Sequence, residues 1–541
     1  MTVSHRLSPD ARTAWWRGAA IYQVYVRSFA DGNGDGIGDL AGVRGRLGYL
    51  ADLGIDAIWF TPWYPSPMDD GGYDVSDYRD IEPVFGTLQE AELLIREAHD
   101  LGIRIILDIV PNHCSDDHPW FQAALAAGPG SPERAHFWFR PGSGPDGSQP
   151  PNDWQSRFGG PAWTRMADGE WYLHLYSSRQ PDLNWENPEV HAEFKDILKF
   201  WFDRGIDGFR IDVADGLVKD PGLPDVDGAT TIPLPFSDMD GVHEIYREWR
   251  QISDSYPGER IFVGEMWLPD PARFARYLRS DELHSAFNFD FLSAPWDAKK
   301  LREVIQSSLD SHSPVGAPTT WVLSNHDVTR HVTRYGRPGD TGFEFADRRH
   351  GTPVDRSLGT RRARAAALLT MSLPGGVYVY QGEELGLWEI EDIPDNLRQD
   401  PVFARTRGSD PGRDGCRVPI PWGGEFPPFN FSSGDTWLPQ PEEWAGYTAE
   451  AEADDPESML ELYRSALRVR REEPALGDGE MHWLVHLADV IAFTRDPGFT
   501  CLVNLSAEDV PLPRHESVLL ASGPLNGDHL PPDTAVWLRT H

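Results

Sequence analysis

Short apolar runs that alternate with segments of helical spacing constrain the fold of this chain most. The apolar runs lie at 19–29, 55–60, 103–110, 206–211, 260–264, 285–291, 320–325 and 375–382. The helical segments lie at 42–54, 87–102, 188–204 and 457–472. Buried strands that alternate with helices predict a parallel sheet, and eight such strands predict an α/β protein with a (β/α)8 TIM barrel.

Two stretches interrupt this alternation. Residues 111–184 are rich in Pro, Gly, Trp and His and are too long for a connecting loop, so we expect an inserted subdomain after the third strand. Residues 386–455 form a second irregular stretch after the eighth strand. From 474 onward, alternating runs such as VIAFTR predict a C-terminal antiparallel β-sandwich domain. The predicted domains are a catalytic barrel (1–110 and 185–473), an inserted subdomain (111–184) and a C-terminal β domain (474–541).

Carboxylates occur at the ends of several apolar runs. Asp108, Asp212 and Glu265 each follow such a run, and Asp327 lies in the segment SNHD after the seventh. The C-terminal strand ends of a barrel face one mouth, so these acids are expected to converge there. Several carboxylates in one mouth favour the cleavage of an acetal, which uses one carboxylate and one carboxylic acid.

The charge of the chain limits its partners. The 541 residues carry a formal net charge of −36, and the acids are spread along the sequence. Nucleic acids and anionic membranes bind basic patches, so neither is expected as a partner. A neutral small molecule suits the chain better, and the length predicts two or three domains.

Cysteine usage and the N-terminal segment indicate the cellular compartment of the protein. Cys114, Cys416 and Cys501 are odd in number and form no disulfide framework. The segment MTVSHRLSPDARTAWW lacks the apolar core of a signal peptide, and no run is long enough to span a bilayer. These features predict a cytoplasmic protein.

Five segments in fixed order resemble the α-amylase family, glycoside hydrolase family 13: DIVPNH, QPDLNWENP, GFRID, FVGEMW and SNHD. QPDLNWENP is similar to the oligo-1,6-glucosidase and α-glucosidase branch, and the resemblance covers nearly the whole chain. It implies a retaining hydrolase in which Asp212 is the nucleophile, Glu265 the general acid and base, and Asp327 a third acid that favours the transition state. Arg210, two residues before Asp212 on the same strand face, would hold the nucleophile ionised.

The same resemblance implies a set of substrate-binding residues. His113 and His326 would bind the glucosyl ring in the first subsite, and Tyr73 would stack on an apolar sugar face. Asp70 would hold the 4- and 6-hydroxyls of the terminal glucose, paired with an arginine after the eighth strand. Arg417 in DGCRVPIPW is the candidate for that arginine. An Asp70–Arg417 pair across the pocket floor would block chain extension and make the enzyme act from the non-reducing end.

The segment DGNGDGIGD (31–39) places oxygen-bearing side chains at alternate positions, with glycines that permit a tight coil. Such a loop suits a hard cation, although Gly42 stands where an EF-hand would have its bidentate Glu. The resemblance implies one structural Ca²⁺ or Mg²⁺ here, remote from the chemistry, and an Asx-rich turn is the alternative. The candidate ligands are Asp31, Asn33, Asp35, Ile37 and Asp39.

Three classes of function remain open. The leading one is an exo-acting α-glucosidase that releases glucose from short α-glucosides such as maltose and maltotriose by double displacement. The second is a glucosyl-transferring or isomerising enzyme on the same scaffold, such as a trehalose or sucrose isomerase. The Arg-rich loop that would favour the sucrose isomerases is not evident in the sequence, and RQDPVFARTR (398–407) is the nearest basic stretch. The third is a non-catalytic binding relative, which is disfavoured because all three acids are present.

The expected preference between α-1,4 and α-1,6 glucosidic linkages depends on Val213, which follows Asp212. Within the resembling branch, valine at this place accompanies α-1,6 cleavage in some members, while GFRIDVADGLVKD as a whole is most similar to α-1,4-acting α-glucosidases. We therefore expect α-1,4 cleavage with tolerance of α-1,6 linkages. No cofactor is expected for the chemistry, and the chain is expected to be a monomer or a weak homo-oligomer with a small oligosaccharide as its substrate.

Overall fold

The computed structural model describes residues 14–485 and 487–540. Most of the N-terminal segment considered above for a signal sequence, residues 1–13, therefore lies outside the described residues.

The described strands are β1 (Ala20–Val24), β2 (Ala57–Phe60), β3 (Arg104–Ile109), β4 (Phe139–Pro141), β5 (Trp163–Arg165), β6 (Glu170–Leu173), β7 (Gly208–Ile211), β8 (Ile261–Gly264), β9 (Ser285–Ala286), β10 (Thr320–Val322), β11 (Gly376–Tyr380), β12 (His482–Trp483), β13 (Val490–Arg495), β14 (Phe499–Asn504), β15 (Val510–Pro511), β16 (Ser517–Ala521), β17 (His529–Leu530) and β18 (Thr534–Arg539).

The described α-helices are α1 (Leu40–Gly45), α2 (Leu47–Leu53), α3 (Leu88–Asp100), α4 (Pro119–Ala127), α5 (Pro188–Phe202), α6 (Val242–Asp254), α7 (Pro271–Arg276), α8 (Phe289–Ser293), α9 (Ala298–His312), α10 (His331–Gly336), α11 (Arg356–Ser372), α12 (Pro401–Arg405), α13 (Ala449–Glu452) and α14 (Met459–Glu472). Short 3₁₀ helices lie at Trp15–Arg17, Val26–Ser28, Glu133–His136, Ser313–Val315, Asp395–Leu397, Asp414–Cys416 and Glu442–Tyr447.

Eight of the described strands form one parallel sheet that is the wall of a barrel. Their spatial order is β10-β11-β1-β2-β3-β7-β8-β9. Between β9 and β10 the Thr320 hydroxyl donates to the carbonyl oxygen of Ala286 at 2.5 Å, which links the two ends of the sheet. Every residue of these strands is buried except the half-buried Arg104, because helices cover the outer face and side chains fill the inside.

Local sequence signals set the ends of the helices between these strands. Helix α3 begins at a capping box in which Thr87 and Glu90 each accept from the other's backbone N–H. Its buried residues recur at helical spacing: Ala91, Leu94, Ile95 and Ala98. Helix α2 ends at Gly54, whose φ of 93° is the left-handed conformation that favours glycine.

Some predicted elements differ in extent from those observed. The helix predicted at 42–54 is two helices, α1 and α2, because the backbone of Arg46 (φ −114°, ψ 3°) is not helical. The first and seventh barrel strands end earlier than predicted, at Val24 and Val322.

The strand predicted at 285–291 is wrong over most of its length. The strand ends at Ala286, and helix α8 begins at Phe289. The Asn288 side chain accepts the backbone N–H of Phe291 and so caps this helix. The apolar run SAFNFDF is short and buried, and periodicity alone does not separate a strand from a helix in such a run.

The chain between β3 and α5 forms the inserted subdomain. It contains α4 and a three-stranded antiparallel sheet in the order β4-β6-β5. Leu234 and Phe236, from the long loop after β7, complete its apolar core. The tryptophans of this core are Trp138, Trp154, Trp163 and Trp171. Lys219 of the same loop lies 2.8 Å from Asp182 of the insert, and both side chains are fully buried. The insert and the loop after β7 are therefore one packed unit.

The C-terminal part of the chain is antiparallel. One sheet has the order β12-β13-β14-β18-β16, and β15 pairs with β17. The Trp537 indole donates to the carbonyl oxygen of Leu368 on α11 at 3.1 Å, which ties this domain to the barrel. The predicted fold class is confirmed. Among the described helices, none has the length and apolar character that crossing a membrane requires.

Candidate active site

A pocket of about 490 Å³ opens at the C-terminal ends of the barrel strands. Asp212 and Glu265 directly follow β7 and β8, and Asp327 follows β10 after a short turn. Six of the nine predicted catalytic and substrate-binding residues line the pocket: Asp70, Tyr73, His113, Asp212, Glu265 and Asp327. The other three, Arg210, His326 and Arg417, contact the lining residues from behind.

Arg210 connects the acids. Its Nη1 donates to Asp212 Oδ1 at 2.7 Å and to Asp108 Oδ1 at 2.9 Å. Its Nη2 lies 3.3 Å from Glu265 Oε2. The guanidinium is buried, so these charge-assisted bonds are shielded from water and fix the acids relative to one another.

The environment of Asp212 disfavours the charged form of its carboxyl group. Burial raises the pKa of Asp212 well above its ordinary value. The charge of Arg210 opposes this rise, and the nearby Glu265 strengthens it. Asp212 therefore ionises at a higher pH than an exposed aspartate does.

Glu265 is held by two donors besides Arg210. The backbone N–H of Val213 donates to Oε2 at 2.9 Å, and the Trp267 indole donates to Oε1 at 3.2 Å. Val213 has a φ of 47°, which is the left-handed region and is unfavourable for a β-branched residue. The turn after Asp212 thus aims a backbone amide at Glu265.

The predicted pairing of Asp70 with Arg417 is wrong. Among the described residues, Asp70 pairs not with Arg417 but with Arg413, whose Nη2 donates to Asp70 Oδ1 at 2.6 Å. Arg417 instead donates from Nε to the carbonyl oxygen of His326 at 2.8 Å and from Nη2 to Asp327 Oδ1 at 3.0 Å. The two arginines flank the short 3₁₀ helix Asp414–Cys416, and the sequence pattern does not show which of them faces Asp70.

The pKa values of the two acids at this end of the pocket, Asp70 and Asp327, are shifted in opposite directions. Although burial alone would raise it, the adjacent His326 and the charges of Arg413 and Arg417 hold the pKa of Asp327 well below its usual range. Burial raises the pKa of Asp70, and Arg413 offsets only part of that rise. Gln180 also donates to Asp70 Oδ2 at 3.1 Å, so both carboxylate oxygens of Asp70 have donors.

One wall of the pocket carries the ring of Tyr73 and the imidazole of His113, and His326 lies behind Tyr73. The Tyr73 ring stacks on His326, with centroids 5.3 Å apart and planes 7° apart, so only its opposite face can stack on a sugar. Burial lowers the pKa of His113 to about 4 and that of His326 to about 3. Both imidazoles are therefore neutral at pH 7, which suits hydrogen bonding to uncharged hydroxyls.

Sequence reasoning missed several residues of the site. Arg413 is one, and Asp400, which accepts the backbone N–H of Arg413 at 2.7 Å, is another. The pocket is also lined by Phe158 and Tyr176 of the insert and by Phe345. The Asp-Pro step at 400 is a helix N-cap signal, but no spacing rule connects it with Arg413. Aromatic residues in Gly- and Pro-rich stretches carry no periodicity that would place them.

The candidate cation loop at 31–39 lies on the first strand–helix connection. Asp31 Oδ1 accepts the Gly34 N–H at 2.7 Å, and Asp39 Oδ1 accepts the Gly42 N–H at 2.6 Å. Within residues 14–485 and 487–540, no three or more His, Cys, Asp or Glu side chains form a group that could hold a metal. The loop donors are all oxygens, which fits Ca²⁺ or Mg²⁺ in chemistry. The hydrogen bonds of the loop also define an Asx-rich turn.

Comparison with known proteins identifies the family. Residues 23–479 match the model of the alpha amylase catalytic domain. The chain belongs to the α-amylase family. It is 38% identical to a probable alpha-glucosidase of Rhizobium meliloti, over 95% of this chain and 94% of the relative. It is 34% identical to an oligo-1,6-glucosidase of Parageobacillus thermoglucosidasius, over 85% and 84%. A solved alpha-glucosyl transfer enzyme has a TM-score of 0.85 at 34% identity, over 98% of this chain and 100% of that one.

Membership in the α-amylase family and in its α-glucosidase and oligo-1,6-glucosidase branch confirms the resemblance drawn from the motifs. The chain is a glycoside hydrolase. The match from 23 to 479 spans the barrel and the insert and includes every predicted site residue. The pocket described above therefore lies within the catalytic domain of the family.

Proposed function

We propose that this glycoside hydrolase is an exo-acting, retaining α-glucosidase that releases glucose from the non-reducing end of short α-glucosides. The observation that carries the proposal is the ionic floor of the pocket, where Arg413 bonds both Asp70 and Asp327. A glucose ring that binds this floor through its far hydroxyls cannot be extended beyond it. Only a chain terminus then fits the site.

The first step of the reaction uses Asp212 and Glu265. Arg210 engages Asp212 Oδ1, which leaves Oδ2 as the oxygen that attacks the anomeric carbon. As the C1–Oδ2 bond forms, the glycosidic C1–O bond breaks, and Glu265 gives its proton to the departing oxygen. The leaving sugar departs as an alcohol, and the glucosyl unit is held as an ester of Asp212.

The second step reverses these roles. Glu265, now a carboxylate, takes a proton from water, and the water oxygen attacks the anomeric carbon as the bond to Asp212 breaks. Two inversions at the anomeric carbon give net retention. The positive charge that develops on the ring is stabilised by Asp327, because two arginines keep that carboxylate ionised.

The remaining pocket residues bind the sugar. Neutral His113 and His326 hydrogen-bond its hydroxyls, and the free face of Tyr73 stacks on the ring. Val213 lines the pocket next to the nucleophile and would lie close to the bond to be cleaved. We propose α-1,4 glucosides such as maltose and maltotriose as the preferred substrates, with α-1,6 glucosides tolerated.

A second candidate is transfer of the glucosyl unit to a sugar hydroxyl in place of water. The likeness to a solved alpha-glucosyl transfer enzyme favours it, and so do three aromatic side chains that line the pocket, Phe158, Tyr176 and Phe345, on which a second sugar can stack. The two reactions share the first step and differ only in the acceptor. The ratio of free glucose to longer products separates them.

Product analysis over time tests the proposal. With maltotriose and soluble starch as substrates, we expect single glucose units from the first time point, much faster release from maltotriose, and α-glucose as the first anomer seen by NMR. Asp212→Asn serves as the inactive control. Early release of maltose from starch would contradict the closed pocket, and β-glucose as the first product would contradict double displacement.

We further propose that the loop at 31–39 binds one structural Ca²⁺ or Mg²⁺. The residues that would hold it are Asp31, Asn33, Asp35, the backbone carbonyl of Ile37, and Asp39. Such an ion would stabilise the first strand–helix connection and supply no chemistry at the pocket. The support is the all-oxygen donor set and the packing of the loop, whose Asp31 N–H donates to the carbonyl oxygen of Phe431 at 3.0 Å.

We also propose a cytoplasmic location, a monomer or weak homo-oligomer, and no partner beyond the sugar substrate. The three free, buried cysteines support a reducing compartment. The net charge of −36 disfavours anionic partners.

A further inference from the structure

Asp400 is a buried carboxylate that lies behind the pocket wall, where its side chain bonds two pocket-lining residues, the guanidinium of Arg413 and the backbone N–H of Val402. Its side chain has no exposed surface. Its Oδ2 accepts the backbone N–H of Arg413 at 2.7 Å and the Nε–H at 2.5 Å, and its Oδ1 accepts the Nη2–H at 3.2 Å. The carboxylate and the guanidinium thus form a two-pronged pair, the geometry that restricts an arginine most.

The hydrogen-bond donors of Arg413 show how its pairing with Asp400 orients the guanidinium group. Nε and Nη2 form the edge that faces Asp400. Nη2 also donates to Asp70 Oδ1 at 2.6 Å, and Nη1 donates to Asp327 Oδ1 at 3.1 Å. Asp400 holds one edge of the planar group, so the other donors can point only toward Asp70 and Asp327. The plane of the guanidinium is set from behind the pocket.

Charge balance does not account for Asp400. Arg413 and Arg417 already face two acids at the pocket floor, Asp70 and Asp327, and Asp400 makes three acids against two arginines. An additional buried carboxylate is costly unless it supplies hydrogen bonds of good geometry. The bonds it supplies all orient Arg413 or cap helix α12, where its Oδ1 accepts the Val402 N–H at 2.9 Å.

Asp400 is itself fixed independently of the Arg413 side chain. Asp414 Oδ2 accepts the backbone N–H groups of Gln399 at 2.8 Å and of Asp400 at 3.1 Å. Arg405, at the end of α12, donates to the carbonyl oxygen of Tyr176 in the insert at 3.2 Å. The segment that carries Asp400 is therefore held by hydrogen bonds at both ends. These bonds fix the position of the Asp400 carboxylate, which in turn restricts the Arg413 side chain.

We propose that Asp400 is a positioning residue for the terminal glucose. It orients Arg413, which in turn aims the carboxylates of Asp70 and Asp327 at the sugar hydroxyls. The proposal rests on the proposed exo-acting α-glucosidase function and assigns to Asp400 the site's preference for a terminal ring with an intact 4-hydroxyl.

A substrate-truncation experiment tests the proposal. The kcat/KM values for 4-nitrophenyl α-D-glucopyranoside and its 4-deoxy analogue are measured in wild type, Asp400→Asn and Asp70→Asn. Asparagine keeps the volume of Asp400 but turns one acceptor oxygen into a donor that opposes the arginine. Asp395→Asn is the matched control, since Asp395 is an exposed aspartate in the same segment.

We define the 4-deoxy penalty as the ratio of kcat/KM for the parent glucoside to kcat/KM for its 4-deoxy analogue. We expect Asp400→Asn to lower kcat/KM for the parent glucoside by about tenfold or more and to reduce the 4-deoxy penalty by a similar factor. Asp70→Asn should shrink that penalty as well, and the double variant should shrink it no further. Asp395→Asn should leave both values unchanged.

An undiminished 4-deoxy penalty in a folded Asp400→Asn variant would overturn the proposal, because a merely structural role lowers activity on both glucosides equally. If circular dichroism shows that this variant does not fold, Asp400→Glu, which keeps the charge but displaces the pair, is measured in the same way. An unchanged penalty there would also overturn it. Failure of the wild type to hydrolyse the parent glucoside would count against the proposed function instead.

Discussion

Replacement of Val213 tests whether the turn after Asp212 stores backbone strain. A non-glycine residue in the left-handed region costs about 1–3 kcal/mol, and Val213 has a φ of 47°. Val213→Gly removes that cost but adds about 0.5–1 kcal/mol of chain entropy relative to alanine. Val213→Ala keeps the Cβ atom and hence the strain, and both variants lose the two γ-methyl groups of valine. We therefore expect the glycine variant to be the more stable of the two by about 1 kcal/mol, the reverse of the order in helices and strands.

Denaturant unfolding of the two variants measures this difference directly. Glu303→Gly and Glu303→Ala, at an exposed position of α9, form the control pair and should show the ordinary order, with alanine the more stable. The backbone N–H that donates to Glu265 is present in both Val213 variants, but glycine frees the turn that aims it. We expect kcat to fall further in Val213→Gly than in Val213→Ala. If the Val213 pair shows the same stability order as the Glu303 pair, the strain argument is refuted.

Four further expectations follow from the site and its surroundings. Asp212→Asn should lower kcat by several powers of ten with the fold intact by circular dichroism, and activity within about tenfold of the parent would contradict its role as nucleophile. Because burial raises the pKa of Asp212, the acidic limb of the kcat/KM profile should lie above about pH 4, the ordinary value for aspartate; a limb at or below that value would contradict the effect of burial. Burial also raises the pKa of Glu383 from 4.5 to about 8, so the stability it contributes is complete below pH 4.5 and is lost as pH rises through 8. Denaturant unfolding at pH 5 and pH 8 should therefore show a smaller loss of stability with rising pH in Glu383→Gln than in wild type, and equal losses would count against this reading. A chelator should lower the melting temperature, Ca²⁺ or Mg²⁺ should restore it, and activity at low temperature should stay nearly constant; a loss that neither ion reverses would mean that the loop at 31–39 is not a cation site.

The barrel was predictable because its signals are local and repeated. Each strand is a buried apolar run, and capping residues such as Thr87 and Gly54 mark the helix ends. The strand end also places a following carboxylate in the mouth, so Asp212 and Glu265 could be assigned to one pocket from sequence. Where the signal is short, as in 285–291, buried strand and buried helix are indistinguishable, and a single Asn288 cap decided the outcome.

The floor of the pocket was not predictable in the same way. Arg413 and Arg417 stand four residues apart in an irregular segment, and both face acids at the pocket floor. Which of them meets Asp70 depends on how the segment after β11 folds back, and that path is set by Asp400 and Asp414 rather than by any periodic pattern. Irregular chain is positioned by such individual long-range bonds, which leave no spacing signature in the sequence.

The buried pair of Lys219 and Asp182 limits how this scaffold can be recombined. A chimera that took residues 111–184 from a relative without a carboxylate at this place would leave Lys219 as an unpaired charge in a dry environment, at a cost of about 3–5 kcal/mol. This part of the pocket lining thus comes from two segments that α5 and β7 separate in the sequence, the insert and the loop after β7. Shuffling that exchanges specificity between such enzymes must move both segments together.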